Sequence, residues 1–263
     1  MMGMTRRTFV QAVAMGAAMP AMAADKVGNP QRQTSGVRRR HARRALEALG
    51  ARCIVDPETE RVTEISLNDN ARVRDEDLRH AAHFSRLTDL SLEGTKIGDA
   101  GMKHLTELKR LEWLNLYRTQ VGDEGVGHLS RIESLQHLPI GRTRVTDAGL
   151  KAVGRMKRLV YLGLRGNAVT DVGLANLKDL QNLTGLHLGE TGITDTGLRH
   201  LRGLNKLQKL WLHDTRVTDA AVAELKKLPK LQQLVIYNTK FSEKGYRELS
   251  AARSGMLILY RAE

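Results

Sequence analysis

The chain has 263 residues, with 42 Lys and Arg against 29 Asp and Glu for a formal charge of +13, and a single cysteine. That one residue, Cys53, excludes an intrachain disulfide and a cysteine-rich zinc site, and its place in an expected strand makes it a core residue. The basic balance favours solubility and attraction to polyanions and leaves the fold undecided.

Residues 1–23 read as a secretory signal: a basic start, an apolar stretch from Phe9 to Met19 too short to span a bilayer, and the small residues Ala21-Met22-Ala23. Thr5-Arg6-Arg7-Thr8-Phe9-Val10 resembles the twin-arginine export motif, with Val10 and Gln11 in place of the commoner Leu and Lys. The resemblance implies export of a folded protein, cleavage after Ala23, and a periplasmic or secreted location. Loss of the leader removes Arg6 and Arg7, leaving 40 basic against 29 acidic residues and a charge of +11.

Polar residues with Gly28 and Pro30 make 24–35 a linker. An N-terminal cap is expected over 36–61, starting with a helix at 37–49. Ala42, Ala45, Leu46 and Leu49 share one face, Ser35 accepts from the first free N–H groups, and Gly50 suits the left-handed position past the end. The other face carries Arg38, Arg39, Arg40, Arg43 and Arg44, which reads as a solvated surface in preference to a phosphate or membrane grip. Strands at 52–55 and 61–67 flank the turn Asp56-Pro57-Glu58-Thr59-Glu60.

From 62 to 254 a pattern L-x-x-L-x-L-x-x-T-x-[IV]-x-D recurs with a period of 24, giving eight units that begin at Val62, Leu87, Leu111, Leu135, Leu159, Leu183, Leu207 and Leu231. Leu162 and Leu164 point into the core from a short strand, while Tyr161 and Gly163 point out. Thr95, Thr119, Thr143, Asn167, Thr191, Thr215 and Thr239 form a column that bonds backbone left open where the chain turns away, a structural and not a catalytic role. Asp75, Asp99, Asp123, Asp147, Asp171, Asp195 and Asp219, continued by Glu243, place an acid at each helix start, which reads as helix capping in preference to calcium binding. Gly101, Gly125, Gly149, Gly173, Gly197 and Gly245 leave room for close packing of coils, and only Ala221 breaks the column. A lone unit has no second layer to bury its leucines against, so stacking is obligatory. Residues 255–263 add a closing strand in one of two registers, with Ile258 and Tyr260 inward or Leu257 and Leu259 inward.

These repeats resemble the leucine-rich repeat family, in the variety with T-D-x-G-L helices found in secreted bacterial repeat proteins and, with an added F-box, in ubiquitin-ligase substrate receptors. The chain has no F-box helices, and Cys53-Ile54-Val55-Asp56 does not match the Cys-x-Asp of bacterial ligases built on such repeats. The resemblance implies an α/β solenoid: a curved arc with a parallel sheet on the concave face and short helices on the convex face.

In that architecture the third, fifth and seventh residues of each unit face the concave surface. Trp113, Tyr117, Tyr161, Trp211 and Tyr237 lie there, half of the ten aromatic residues in the chain. Such residues join large apolar area to a hydrogen-bonding tip and dominate binding hot spots. His137, His187, His213, Arg165 and Lys209 add polar contacts on the same face, and Gly141, Gly163, Gly185 and Gly189 open a depression between two aromatic clusters. His187 and His213 come from adjacent strands but are offset, which argues against a metal site. No catalytic constellation, cofactor loop or metal-ligand spacing appears, so no enzyme, cofactor or metal is expected. Much of the basic charge forms an outer band that includes Lys109, Arg110, Lys157, Arg158, Lys206 and Lys230, apart from the aromatics, which disfavours nucleic acid. The expected function is recognition of a protein or peptide across the concave face. Adhesion to an anionic glycan or surface through the basic band, and service as the substrate-recognition subunit of a larger complex, are the alternatives.

Overall fold

A computed structural model describes residues 30–261, with side chains from residue 36 onward, so the leader falls outside the described residues. Helix α1 (Pro30–Ala48) is followed by a hairpin of β1 (Arg52–Asp56) and β2 (Arg61–Ser66). Eight further strands, each three residues long, are β3 (Asp89–Ser91), β4 (Trp113–Asn115), β5 (His137–Pro139), β6 (Tyr161–Gly163), β7 (Gly185–His187), β8 (Lys209–Trp211), β9 (Gln233–Val235) and β10 (Leu257–Leu259). They lie in one ten-stranded sheet in chain order, β1 antiparallel to β2 and every later pair parallel. Between strands the chain makes a short α-helix, a 3-10 turn or both, such as Asp123–Leu129, Gly197–Leu201, and Asp171–Leu174 followed by Ala175–Leu177. The result is the expected leucine-rich solenoid.

Helix α1 starts at Pro30, inside the stretch expected to be a linker, and passes through Ser35 instead of being capped by it. Proline suits the first helical position because its missing N–H is one the helix leaves unpaired anyway. At the other end Gly50 takes φ +97°, with Gly50 N–H bonding Glu47 O at 2.8 Å and Ala51 N–H bonding Leu46 O at 2.9 Å. These two bonds close the helix with a Schellman motif. Ala42 and Leu46 are buried and Leu49 packs against the core, as the apolar spacing predicts.

The core is a continuous stack of leucine tiers. Leu162 and Leu164 are fully buried, as are Leu186, Leu188, Leu210 and Leu212 in the next two coils. Each such side chain contributes about 1.5–3 kcal/mol by leaving water. At the far end Leu257 and Leu259 are exposed while Ile258 and Tyr260 pack inward, which settles the register, and Tyr260 stacks on Tyr246 at 4.3 Å.

The threonine column behaves as expected: Thr95, Thr119, Thr143, Thr191, Thr215 and Thr239 each donate a hydroxyl to the carbonyl three residues back. Asn167 instead reaches the previous coil, donating to Ile140 O at 2.9 Å and accepting from Thr143 N–H at 2.9 Å.

The aspartate column does something other than cap its own helices. Asp123 accepts from Thr146 N–H at 2.8 Å and Thr146 Oγ1 at 2.7 Å, one coil downstream. Asp147 holds Thr170, Asp171 holds Thr194, Asp195 holds Thr218 and Asp219 holds Ser242 in the same way, while Asp75 and Asp99 hold the N–H groups of Gly98 and Gly122. The capping falls to the threonine: Thr146 Oγ1 accepts from Ala148 N–H at 3.2 Å while donating to Asp123. Each aspartate therefore staples two coils. Glu243 pairs with Arg247 and Arg261.

The glycine column follows from those staples. A Cβ at Gly125, Gly149, Gly173 or Gly197 would lie 2.5, 2.4, 2.2 or 2.2 Å from an oxygen of the aspartate one coil upstream. Ala221 occupies the equivalent place beside Asp195, whose bonds to Thr218 persist at 2.9 and 2.7 Å.

Candidate functional site

The parallel ladder sets the concave residues in rows across the strands. Trp113, His137, Tyr161, Gly185 and Lys209 align in one row. Pro139, Gly163, His187, Trp211 and Val235 align in the next. Beyond the strand ends, Tyr117, Gly141, Arg165, Gly189, His213 and Tyr237 continue as a third row, each carbonyl accepting an N–H from the preceding coil.

Within this array five of the expected residues come into ring contact. Tyr161 meets Trp211 edge-on with centroids 6.3 Å apart, Trp211 stacks on His187 at 5.3 Å, His187 meets His213 edge-on at 5.2 Å, and His213 stacks on Tyr237 at 4.9 Å. Strands β6 to β9 and the turns after them thus present one unbroken ladder of rings. Parallel register makes it possible: side chains one coil apart stand about 4.8 Å apart, which is ring-stacking distance. Trp113 and Tyr117 belong to β4 and the turn after it, away from the ladder, and are part-buried.

The four concave glycines do not open a depression. A Cβ at Gly185 would lie 2.9 Å from Tyr161 Cδ2, one at Gly189 2.5 Å from His213 Nε2, one at Gly163 3.1 Å from the Tyr161 hydroxyl, and one at Gly141 3.1 Å from Tyr117 Cδ2. Rings lie down over these positions, from a neighbouring coil at Gly141, Gly185 and Gly189 and from the same strand at Gly163, and the Arg165 carbonyl closes on Gly141 as well, because flat apolar area is more stable covering backbone than standing in water. The face is paved where a groove was expected, and His213 is 3% exposed.

Burial shapes the chemistry of this pavement. Desolvation lowers the His187 imidazole to about 3, with His213 and Arg165 adding in the same direction, and it raises the Tyr161 phenol to about 12. Gly189 N–H donates to His187 Nδ1 at 3.2 Å, a bond that requires that nitrogen unprotonated. The ladder is therefore uncharged at His187 and Tyr161 at neutral pH.

A polar rim runs along the third row. Glu190 accepts from Arg165 Nε at 2.6 Å and Arg142 Nη2 at 2.8 Å; burial raises its carboxyl, and the two guanidiniums outweigh that and lower it. His213 Nδ1 bonds Asp214 at 2.7 Å and Asn238 donates to the other Asp214 oxygen at 3.1 Å, lowering that carboxyl against the opposing effect of burial. Arg142, Glu190, Asp214 and Asn238 share the position after the seventh residue of their units, and all have φ between 51° and 58°. Arg118 has φ 60° in the same column, where Gly94 and Gly166 also stand. The 24-residue pattern gives no sign of this left-handed column, because only two of its members are glycines.

Glu190, His213 and Asp214 bring one ligand atom each within 4.8 Å of one another, the spacing of a metal site. Their lone pairs are already taken by Arg142, Arg165 and Asn238, and two guanidiniums beside the cluster oppose a cation. The donor set suits an ion-pair rim better than a metal. Lys209 aligns with Gly185 and Gln233 in the first row, and His137 with Trp113 and Tyr161.

Fold and face together define a solenoid scaffold with an aromatic-paved concave sheet. The chain belongs to the leucine-rich repeat family: the family model described as a leucine-rich repeat region matches residues 70–257, more than half the chain. No curated protein matches it. Among solved structures it is similar to internalin C2 from Listeria monocytogenes, with a TM-score of 0.61 and 22% identity over 75% of this chain and 80% of that one. A second internalin of the same organism gives 0.57 and 21% over 76% of this chain, and a leucine-rich repeat protein of Leptospira interrogans gives 0.54 and 20% over 74%. The chain spans 61% and 60% of those two. At these identities the likeness concerns the fold.

Proposed function

We propose that this protein is a binding module that recognises a protein or peptide across its concave face, with Trp211, Tyr237, His187 and Tyr161 as the central contact and Trp113 and Tyr117 as a second patch. The observation that carries this reading is the ring ladder across β6 to β9, which offers contiguous apolar area edged by the Arg142–Glu190–Arg165 ion pairs. Partly exposed tryptophan and tyrosine set in rigid strands lose little entropy on binding, the profile of a hot spot with a polar rim. His137, Lys209 and His213 belong to the same surface, His213 by supporting Tyr237 from beneath. No catalytic or cofactor role enters this reading.

Export through the twin-arginine-like leader, with cleavage after Ala23, is part of the proposal and places the partner outside the cytoplasm. Among the described residues no helix is long and apolar enough to cross a membrane. The test is affinity capture from the cell envelope, run in parallel with the native protein and a Trp113→Ala, Trp211→Ala double variant. Proteins retained by the native chain and lost with the variant support the reading. An identical set at identical yield sinks it, and N-terminal sequencing of the exported protein checks the leader.

A further inference from the structure

Far from the concave ladder, the N-terminal cap holds a cleft of about 340 Å³ between α1, the β1–β2 hairpin and the segment Phe84 to Arg86. Arg39, Arg40 and Arg43 line it from the helix, Arg61 from the start of β2 and Arg86 from the end of the first coil. Against these five cations the described residues of the lining include one acid, Glu60. The sequence makes the helix arginines look like a solvated face, but the stacking of the cap on the first coils turns three of them toward two more.

This convergence is electrostatically unfavourable by itself. Arg39 is only partly exposed, and both burial and the neighbouring Arg61 and Arg40 act against its charge. Arg43 donates to Glu47 at 2.7 Å, and Arg86 lies in the field of Asp56, whose oxygen is engaged by Glu58 and Thr59 N–H. Gly36 lies beneath the helix arginines, with Arg40 Nη1 3.7 Å and Arg39 Nη2 4.0 Å from where its Cβ would be. The cleft is lined below by Val62 and Phe84, 6% and 3% exposed, and apolar walls of this kind strengthen every charge interaction above them.

Guanidinium forks clustered in a concavity match the oxygens of a phosphoryl group better than a single carboxylate, because several planar donors can engage one dianion. The volume sits at the lower end of small-molecule sites, about 300–1,000 Å³, and exceeds the needs of a bare tetrahedral anion. We propose that the cap cleft is a binding site for a phosphomonoester carried on a compact polar body the size of one sugar ring. Arg40, Arg61 and Arg86 grip the phosphoryl oxygens, and the body rests toward Phe84 and Thr59. The site is separate from the concave face and does not depend on its role.

Isothermal titration of the full chain with glucose 6-phosphate, glucose and inorganic phosphate at physiological salt tests this. The expected result is saturable one-to-one binding of the sugar phosphate, none of glucose, and weaker binding of phosphate. Arg61→Gln and Arg86→Gln should each reduce affinity about tenfold or more, the loss of one charge-assisted contact, and Lys157→Gln on the outer band should not. Since Arg86 is exposed, its variant keeps the test valid if Arg61→Gln folds poorly. An equal loss with Lys157→Gln, or binding abolished by 0.15 M salt, overturns the site. Inorganic phosphate binding as tightly as the sugar phosphate overturns the assignment of a ligand body. Binding to phosphatidic acid vesicles that survives both arginine substitutions would assign phosphate attraction to the general basic surface and overturn the pocket.

Discussion

Two sets of glycines in this solenoid do the same mechanical job for different ends. On the turn side, Gly125, Gly149, Gly173 and Gly197 make room for an aspartate from the coil before, and the aspartate staples that coil to the next. On the concave side, Gly185 and Gly189 make room for the rings of Tyr161 and His213. The first set recurs in nearly every unit because stacking needs it everywhere. The second occurs only where the surface is paved. A small residue in a repeat protein is thus explained by what its neighbouring coil inserts, not by its own unit.

The largest effect is expected from Gly173→Ala, whose Cβ would meet Asp147 at 2.2 Å from Oδ1 and 3.0 Å from Cα. Urea denaturation should show a loss of about 3 kcal/mol, from overpacking plus weakened staple bonds. The comparison predicts coupling: in an Asp147→Ala background the same glycine change should cost about 1 kcal/mol less or better, and strict additivity would refute the staple explanation. Asp123→Ala follows, at about 2 kcal/mol, since it strips an acceptor from both Thr146 N–H and Oγ1. Ala221→Gly, by contrast, should change stability by less than about 1 kcal/mol, because the staple from Asp195 already tolerates the methyl there.

On the concave side the effects should appear in binding before stability. Trp211→Ala should reduce partner affinity by about 2 kcal/mol, some thirtyfold, with a melting temperature close to that of the native chain. Gly189→Ala pushes a methyl to 2.5 Å from His213 Nε2, so it should lift that ring, loosen Tyr237 above it and weaken binding less than Trp211→Ala does. Unchanged affinity in both would place the contact elsewhere.

The smallest effect expected near neutral pH is in the pH profile. His187 titrates near 3 in the folded chain and near 6.5 unfolded, so between those values the unfolded chain takes up the proton. Stability should fall as pH drops below about 6.5 and stay flat above it on this account. His187→Gln should flatten the upper part of that fall, leaving the lower part to Glu190 and Asp214, whose depressed carboxyls lose their partners in acid. A denaturation series from about pH 7 to about pH 2.5 with both proteins distinguishes the two slopes.

Much of the fold was legible in the chain itself. The period, the inward leucines and the hairpin of the cap follow from spacing, and the ring-bearing positions follow from counting along each unit. The start of α1, the role of the aspartates and the paving of the concave glycines were not legible in the same way. Asp123 acts on Thr146, 23 residues away, and Tyr161 covers Gly185, 24 residues away. A reading confined to one unit assigns such residues to their own helix or strand. The left-handed column at Arg118, Arg142, Glu190, Asp214 and Asn238 was hidden for a related reason: the stack holds long side chains in a conformation that local preference would give to glycine.

By itself the sequence determined which side chains are buried and that coils must stack, because a repeated apolar pattern with no second layer has only its own copies to pack against. Only the tertiary structure decided which coil each aspartate serves, which rings fill which gaps, and that arginines from three separate segments meet in one cleft. Those outcomes depend on the offset between successive coils and on side-chain direction, quantities of a few ångströms that a spacing of 24 residues does not carry.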